Sequence, residues 1–302
     1  MQRPERHVLL DGSLVPESRA TVSVFDRGFL WGDGVYEVTP CFAGRTFRLE
    51  AHIDRLYRSL RYVQIDPGMS AEAMLEATVS AHEANLPATA DDAVVRLCHF
   101  VTRGKDQPSM AARHAGPATV VVMWRPVDPA WYRTAFTSGI EARIVPTQRN
   151  RPAAVEPRAK VTSKLNQILA ELDADADGAI SFMVDEFGNL AENSVANIFL
   201  VRDGRLLTPR MNNVLEGVTQ QATFEYADDL GIPWSLEDLS SYDIAQADEV
   251  FVTSSAFGAL PVRRIGRFVP MHPTPGPITH AIQSAMATEV GVDLPALARE
   301  PD

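Results

Sequence analysis

Two stretches decide how this chain is read: EPRAKVTSKLNQILAEL at residues 156–172 and DEFGNLAENSVANIFLV at residues 185–201. The first leaves a proline-interrupted loop and enters a helical pattern, with Leu165, Ile168, Leu169 and Leu172 at helical spacing. The second reads as strands joined at Phe187-Gly188-Asn189. Lys160 sits just before the helix, where a side chain projects from a constrained backbone. Glu192 sits mid-strand among Leu, Val, Ile and Phe, so its carboxylate either faces solvent or is buried with a partner.

Upstream, HVLLDGSLVPESRATVSVFDRG reads as short strands punctuated by Asp11-Gly12 and Pro16. GFLWGDGVYEVTPCFAGRTFRLE follows as a strand pair turning at Ala43-Gly44-Arg45. AHIDRLYRSLRYVQI places Ile53, Leu56, Tyr57 and Leu60 on one helical stripe, and AEAMLEATVSAHEANL forms a second helix. Strands AVVRLCHFVTRG and PATVVVMW close a smaller α/β unit. Downstream of the two opening stretches, RLLTP and EVFVTSSAFGALPV read as strands, VTQQATFEYADDLG as a helix capped at Gly231, and THAIQSAMATEV as the last helix. The expected architecture is α/β (α+β) in two domains: residues 1–125, a linker at 126–138 within the aperiodic RPVDPAWYRTAFTSG, and 139–302 carrying Lys160.

Hydrophobic content of 45% and charged content of 22% suit a globular chain with sizeable cores. A net charge of −11 argues against a nucleic-acid partner, which needs a basic face, so any anion site here must draw on local cations. Cys41 and Cys98 have no framework that requires them to pair, which fits a reducing compartment. MQRPERHVLLDG lacks the apolar core of a signal peptide, and ATVVVMW is far too short to span a bilayer, so cytoplasmic residence without a membrane partner is expected. Asp173-Ala-Asp175-Ala-Asp177-Gly178 matches half of a calcium loop, but Val184 stands where the bidentate Glu belongs. The seven histidines have no zinc-like spacing, and no metal is expected.

The candidate chemistry comes from several residues together. A lysine amine can trap an aldehyde when burial or nearby cations let it lose its proton, although a solvated lysine at a helix start has the same sequence appearance. Lys164, one turn on, is the internal competitor. Leu215-Glu216-Gly217-Val218-Thr219 opens a helix, so free N–H groups and the dipole suit an anion, with Thr219 adding a hydroxyl. Ser254-Ser255 offers a second hydroxyl pair, and Arg55 a permanent positive charge. Amine, carboxylate and anion cradle are what pyridoxal phosphate (PLP) requires. A helix cap, a turn and a surface arginine are the ordinary readings of the same features.

Taken in order and spacing, GDGVYE, HIDRLY, Lys160, Glu192, GVT and SS resemble the fold type IV (class IV) PLP aminotransferases, from about residue 26 to about residue 262. The resemblance implies Lys160 as Schiff-base lysine, Glu192 as partner of the pyridine nitrogen, and Arg55, Val218, Thr219 and Ser255 as phosphate holders, with Ser254 beside them. It also implies a homodimer, an amino donor and a 2-oxo acid acceptor. GDGVYEV is most similar to D-amino-acid aminotransferase, which implies a D-amino-acid substrate, with (R)-primary amines as an extension and Tyr36 lining the substrate pocket. AKVTS and ILAEL are similar to the branched-chain L-amino-acid enzymes. The lyase acting on aminodeoxychorismate is a further relative, disfavoured by Glu37, and a non-catalytic binding protein on the same fold is the reading from another class. The D-amino-acid enzyme's Arg-X-His carboxylate trap is absent: TRGKDQPSMAARHAG has only Arg113-His114. Arg27, Arg96, Arg103 and Arg113 are therefore the candidate carboxylate cations.

Overall fold

A computed structural model describes residues 4–88, 94–105, 110–127, 132–174 and 178–292. The chain divides into two compact units, Met1–Asp128 with Ala159–Lys164, and Pro129–Arg158 with Leu165–Asp302. The Lys160 segment, expected in the second domain, is thus grouped with unit 1. The cause is backbone pairing: Tyr36 N–H donates to Lys160 O at 2.9 Å, Thr162 N–H donates to Gly34 O at 2.9 Å, and Val161 bridges Val35.

Unit 1 contains β1 (His7–Leu10), β2 (Ser13–Pro16), α1 (Arg27–Trp31), β3 (Gly34–Phe42), β4 (Arg45–Thr46), α2 (Leu49–Val63), α3 (Ala71–Asn85), β5 (Val94–Thr102) and β6 (Thr119–Val127). Among the described residues these strands make an antiparallel sheet in the order β2-β1-β6-β5-β3-β4. Strand alternation divides the sheet's two faces. Val35, Cys41, Leu97, Val101, Val122 and Trp124 meet Ile53, Leu56 and Leu60 of α2 and Met74 and Ala81 of α3 in one core. Tyr36, Val38, Arg96, Phe100, Val121 and Met123 belong to the opposite face by register and are only half-buried.

The core face also holds charge. Glu37 lies opposite His99 in the β3–β5 ladder, and both are completely buried. Thr78 Oγ1 donates to Met74 O at 2.7 Å, so the 2.9 Å contact from His99 Nε2 makes that nitrogen the donor to Thr78.

Unit 2 contains α4 (Arg133–Ser138), β7 (Ile140–Ile144), α5 (Leu165–Ala174), β8 (Ile180–Phe182), β9 (Asn197–Arg202), β10 (Arg205–Pro209), α6 (Val218–Asp229), β11 (Trp234–Glu237), α7 (Ser241–Ile244), β12 (Glu249–Ser254), β13 (Gly258–Ile265) and α8 (Pro277–Val290). Its mixed sheet runs β11-β10-β9-β12-β13-β7-β8 among the described residues. Phe199 stacks on Phe251 at 5.0 Å, and Phe224 of α6 stacks on Trp234 at 4.3 Å, which fixes that helix against the sheet. Buried Glu249 accepts from Ile278 N at 2.9 Å and Thr279 N at 2.8 Å, capping the start of α8.

Several expectations need correction. LAENSVANIFLV is not one strand: β9 begins at Asn197, and Glu192 lies in a loop, with an isolated bridge to Asn197 and its carbonyl accepting from Met183 N at 3.1 Å. Asn193 breaks the strand, because its Oδ1 accepts from Val195 N at 3.0 Å and its N–H donates to Ala196 O at 2.9 Å, closing a turn. EVFVTSSAFGALPV is a hairpin, β12 and β13, turned at residues 255–257. The expected linker at 126–138 ends in α4, while its residues 128–131 lie outside the described residues. Asp175 and Asp177 of the acidic run are also outside them, and Asp173 accepts from Thr147 N at 3.2 Å. Among the described residues no helix is long and apolar enough to cross a membrane, and no cluster of three His, Cys, Asp or Glu could hold a metal.

Candidate active site

In unit 1 the lysine segment is tied on two sides. Thr162 Oγ1 donates to Gly32 O at 2.8 Å, adding to the backbone bonds with β3. On the other side, Lys160 N–H donates to Ser59 Oγ at 3.1 Å, and Ser59 Oγ in turn donates to Arg55 O at 3.0 Å. The backbone of Lys160 is therefore joined to the turn of α2 that carries Arg55. Lys160 Nζ stands 4.6 Å from the centroid of the Tyr36 ring, a cation–π contact, and Tyr36 stacks on Phe100 at 5.7 Å. Lys164 Nζ is 5.6 Å from that same centroid.

Arg55 is buried against Glu37. Its Nε donates to Oε1 at 2.6 Å and its Nη2 to Oε2 at 2.8 Å. His52, one turn earlier, places Nδ1 2.9 Å from Oε2 of the same carboxylate. Burial pushes the Glu37 carboxyl up, but the Arg55 charge and the bonds from Arg55 and His52 outweigh it and hold it well below the usual carboxylate range. Burial pushes His52 down, more than the neighbouring carboxylate raises it. His52 is then neutral, with its proton on Nδ1 facing Glu37.

Of the candidate carboxylate cations, Arg27 and Arg103 both pair with Asp33, at 2.8 and 2.9 Å. Burial raises the Asp33 carboxyl, but the bonds and charges of these two arginines bring it below its ordinary value. Arg27 also donates to Met110 O at 3.0 Å and covers Trp31, while Arg103 reaches the carbonyls of Val63 and Gln64 at the end of α2. Arg96 lies on the same sheet face as Tyr36 and Phe100, opposite Pro40. Arg113 is exposed on the short turn Ala112–His114.

In unit 2 both oxygens of Glu192 are held. Arg149 Nε donates to Oε1 at 2.7 Å and Leu215 N–H to Oε2 at 2.8 Å. A carboxylate has about four acceptor positions, so this geometry orients the group and retains capacity for a cationic N–H. The same end of the sheet carries the anion cradle. Gly217 precedes α6, and Gln220 Oε1 accepts from its N–H at 3.3 Å. A Cβ at Gly217 would lie 2.1 Å from Asn197 Oδ1, so any side chain there would push Asn197 aside. Buried Val218 and Thr219 begin the helix, and Thr219 Oγ1 is 3.5 Å from Ser255 Oγ in the β12–β13 turn. Ser254 Oγ accepts from Ala256 N at 3.2 Å.

Arg149, Ser59, Glu37 and His52 support these residues and were not singled out as site components from the sequence. Glu37 is a charged residue in an apolar strand, a feature that could have prompted a search for its partner. Arg149, in PTQRNRP, offered none. Taken unit by unit, the donors suit a phosphorylated pyridine aldehyde: in unit 1 an amine on a doubly anchored segment, and in unit 2 a carboxylate oriented by two donors and an N–H and hydroxyl cradle whose glycine leaves the backbone uncovered.

The profile of the family described as amino-transferase class IV matches residues 34–265. A putative branched-chain-amino-acid aminotransferase from Methanocaldococcus jannaschii is 34% identical over 265 residues, 87% of this chain and 89% of that protein. A D-alanine aminotransferase from Listeria innocua is 29% identical, covering 94% of this chain and 96% of that one. The crystal structure of a branched-chain aminotransferase from Thermoproteus uzoniensis, with norvaline, superposes with a TM-score of 0.85 at 30% identity, covering 95% of this chain and 96% of that one.

Proposed function

The chain belongs to the class IV aminotransferase family, and from that premise we propose that it moves an amino group between an amino acid with an apolar side chain and a 2-oxo acid, using PLP. The observation that carries the reading is the anchored Lys160, with its amine over Tyr36, which stacks on Phe100 on the sheet face opposite α2 and α3. Val38, Val121 and Met123 share that face by register and supply apolar surface for a substrate side chain.

Bound PLP supplies an aldehyde and an electron-withdrawing ring. Lys160 Nζ would hold the aldehyde and, once freed by the substrate's own amine, would take the proton from the substrate's α-carbon and give it back as general base and acid. Glu192, oriented by Arg149 and the Leu215 N–H, would accept from the ring nitrogen. In unit 2, Val218, Thr219, Ser254 and Ser255 would hold the phosphate, and in unit 1 Arg55 would supply a positive charge for it. Arg55 is directed by Glu37 rather than by solvent. Borohydride reduction of the holoprotein followed by peptide mass spectrometry tests the assignment. The modified peptide should contain Lys160, and modification elsewhere or nowhere refutes it.

The M. jannaschii and T. uzoniensis relatives support a branched-chain L-amino acid as donor. A D-amino acid, placed first by the GDGVYEV segment, retains support from the D-alanine aminotransferase. Rates with L-leucine and D-alanine against 2-oxoglutarate separate the two. A homodimer belongs to the same proposal. Leu165, Ile168, Leu169 and Leu172 line one face of α5, and Leu165 and Leu172 are each 66% exposed, an apolar stripe suited to a second copy. Cytoplasmic residence is supported by the buried free thiols Cys41 and Cys98.

A further inference from the structure

Within unit 1, Lys160 is the centre of a three-residue turn. Val161 N–H donates to Ala159 O at 2.9 Å, and Lys160 itself has negative φ, which makes this the inverse γ form. The turn uses neither the N–H nor the C=O of Lys160, and each is taken by a different element. The C=O accepts from Tyr36 N in β3 at 2.9 Å, and the N–H donates to Ser59 Oγ in α2 at 3.1 Å. Three hydrogen bonds therefore fix the direction in which this side chain leaves the backbone. Its Nζ ends 4.6 Å from the ring of the same Tyr36.

The Ser59 bond is not one that a helix needs. A serine or threonine inside a helix commonly satisfies itself by donating to the carbonyl four residues back, as Ser284 and Thr288 do in α8. Ser59 makes that bond too, to Arg55 O at 3.0 Å. Yet its side chain is buried at 1% exposure, and its oxygen also accepts from a residue 101 positions away. Leu56 and Leu60 flank it on the buried side of α2, where alanine would have the better helix propensity. The hydroxyl serves Lys160 more than it serves α2.

We propose that Ser59 is a positioning residue: by accepting from the Lys160 N–H it holds the reacting amine in place over the Tyr36 ring. The proposal rests on the transaminase reading, which makes Lys160 the carrier of the proton. Proton transfer depends steeply on placement, and a displacement of about 1 Å can cost about a hundredfold in rate. Releasing one of the three anchors should slow turnover and leave substrate binding to other groups.

The test compares Ser59→Ala and Ser59→Thr, the second of which keeps the hydroxyl, with the parent protein. In PLP-free protein, hydrogen exchange at the Lys160 amide should be about tenfold faster in Ser59→Ala, with the amides of α2 and β3 unchanged, and should return toward the parent in Ser59→Thr. In holoenzyme, kcat should fall about tenfold or more in Ser59→Ala at nearly constant KM, and recover in Ser59→Thr. Unchanged exchange at Lys160 overturns the proposal, because the bond then holds nothing. Faster exchange spread evenly over α2 and β3, with a lower urea midpoint, also overturns it and makes Ser59 a packing residue. So does a parental kcat, or a loss confined to KM. Failure of the parent protein to take up PLP refutes the transaminase reading and the role given to Ser59 with it, while a Lys160 amide that still responds to Ser59→Ala shows the anchor itself intact.

Discussion

Glu37 and Arg55 form a two-point ion pair in the core of unit 1, at 2.6 and 2.8 Å, with the carboxylate fully buried and the guanidinium 3% exposed. The pair links the middle of β3 to the second turn of α2. Through Ser59 the same helix reaches the backbone of Lys160.

Breaking that pair from one side leaves the other charge buried. Glu37→Ala should lower stability by about 3–5 kcal/mol, read from urea unfolding of PLP-free protein. Glu37→Gln should fall less, since its amide can still accept from one guanidinium N–H. Equal stability of Glu37→Ala and the parent would mean that Arg55 finds another partner at no expense.

Stability should fall with acid before carboxylates titrate. Burial pushes His99 down to about 4 from an ordinary 6.5, and His52 shifts the same way. Between those values the unfolded chain binds more protons than the folded one, so stability declines as pH drops from about 6.5 toward about 4, by about 3 kcal/mol for His99. Glu37, with its folded value depressed, keeps its contribution above about 4.5 and does not add to this fall. Denaturation at pH about 7.5 and about 5 checks it. A flat profile, or the same slope in His99→Gln, contradicts the assignment.

Lys160→Ala should abolish turnover and the visible absorbance of lysine-bound cofactor, whereas Lys164→Ala should keep that absorbance. If the two behave alike, the register of the lysine assignment is wrong.

Glu192→Gln should keep the cofactor bound while reducing kcat about a hundredfold, because a neutral amide no longer stabilises a protonated ring nitrogen. Arg149→Ala should reproduce part of the loss by releasing Oε1. An unchanged kcat in Glu192→Gln rejects the role.

Gly217→Ala places a methyl where Asn197 Oδ1 stands at 2.1 Å. Weakened PLP binding and about 1–3 kcal/mol of destabilisation are expected, with partial recovery in Gly217→Ala combined with Asn197→Gly. Full PLP affinity in the single variant would remove the backbone cradle from the proposal.

The apolar stripe of α5 is testable by sedimentation. Ile168→Glu with Leu172→Glu should give monomers if this face joins two copies, and leave the mass unchanged if it does not.

The sequence by itself determined those elements whose signal lies within a few residues. The stripe of Ile53, Leu56 and Leu60 marked α2, the Ala43-Gly44 turn marked the β3–β4 hairpin, and Gly217-Val218-Thr219 marked the start of α6. The residues proposed as lysine, carboxylate and phosphate holders were also named from the sequence, because their order along the chain is itself a pattern. Tertiary structure alone decided how those groups are held. Arg55 meets a carboxylate 18 residues away, and Glu192 meets Arg149 across 43 residues, pairings that no local periodicity encodes. Glu192 left its expected strand because Asn193 closes a turn, and Lys160 joined unit 1 because its backbone completes β3. Periodicity records which face of an element is apolar; burial of a charge depends on what the rest of the fold brings to it, and that is settled only when distant segments pack.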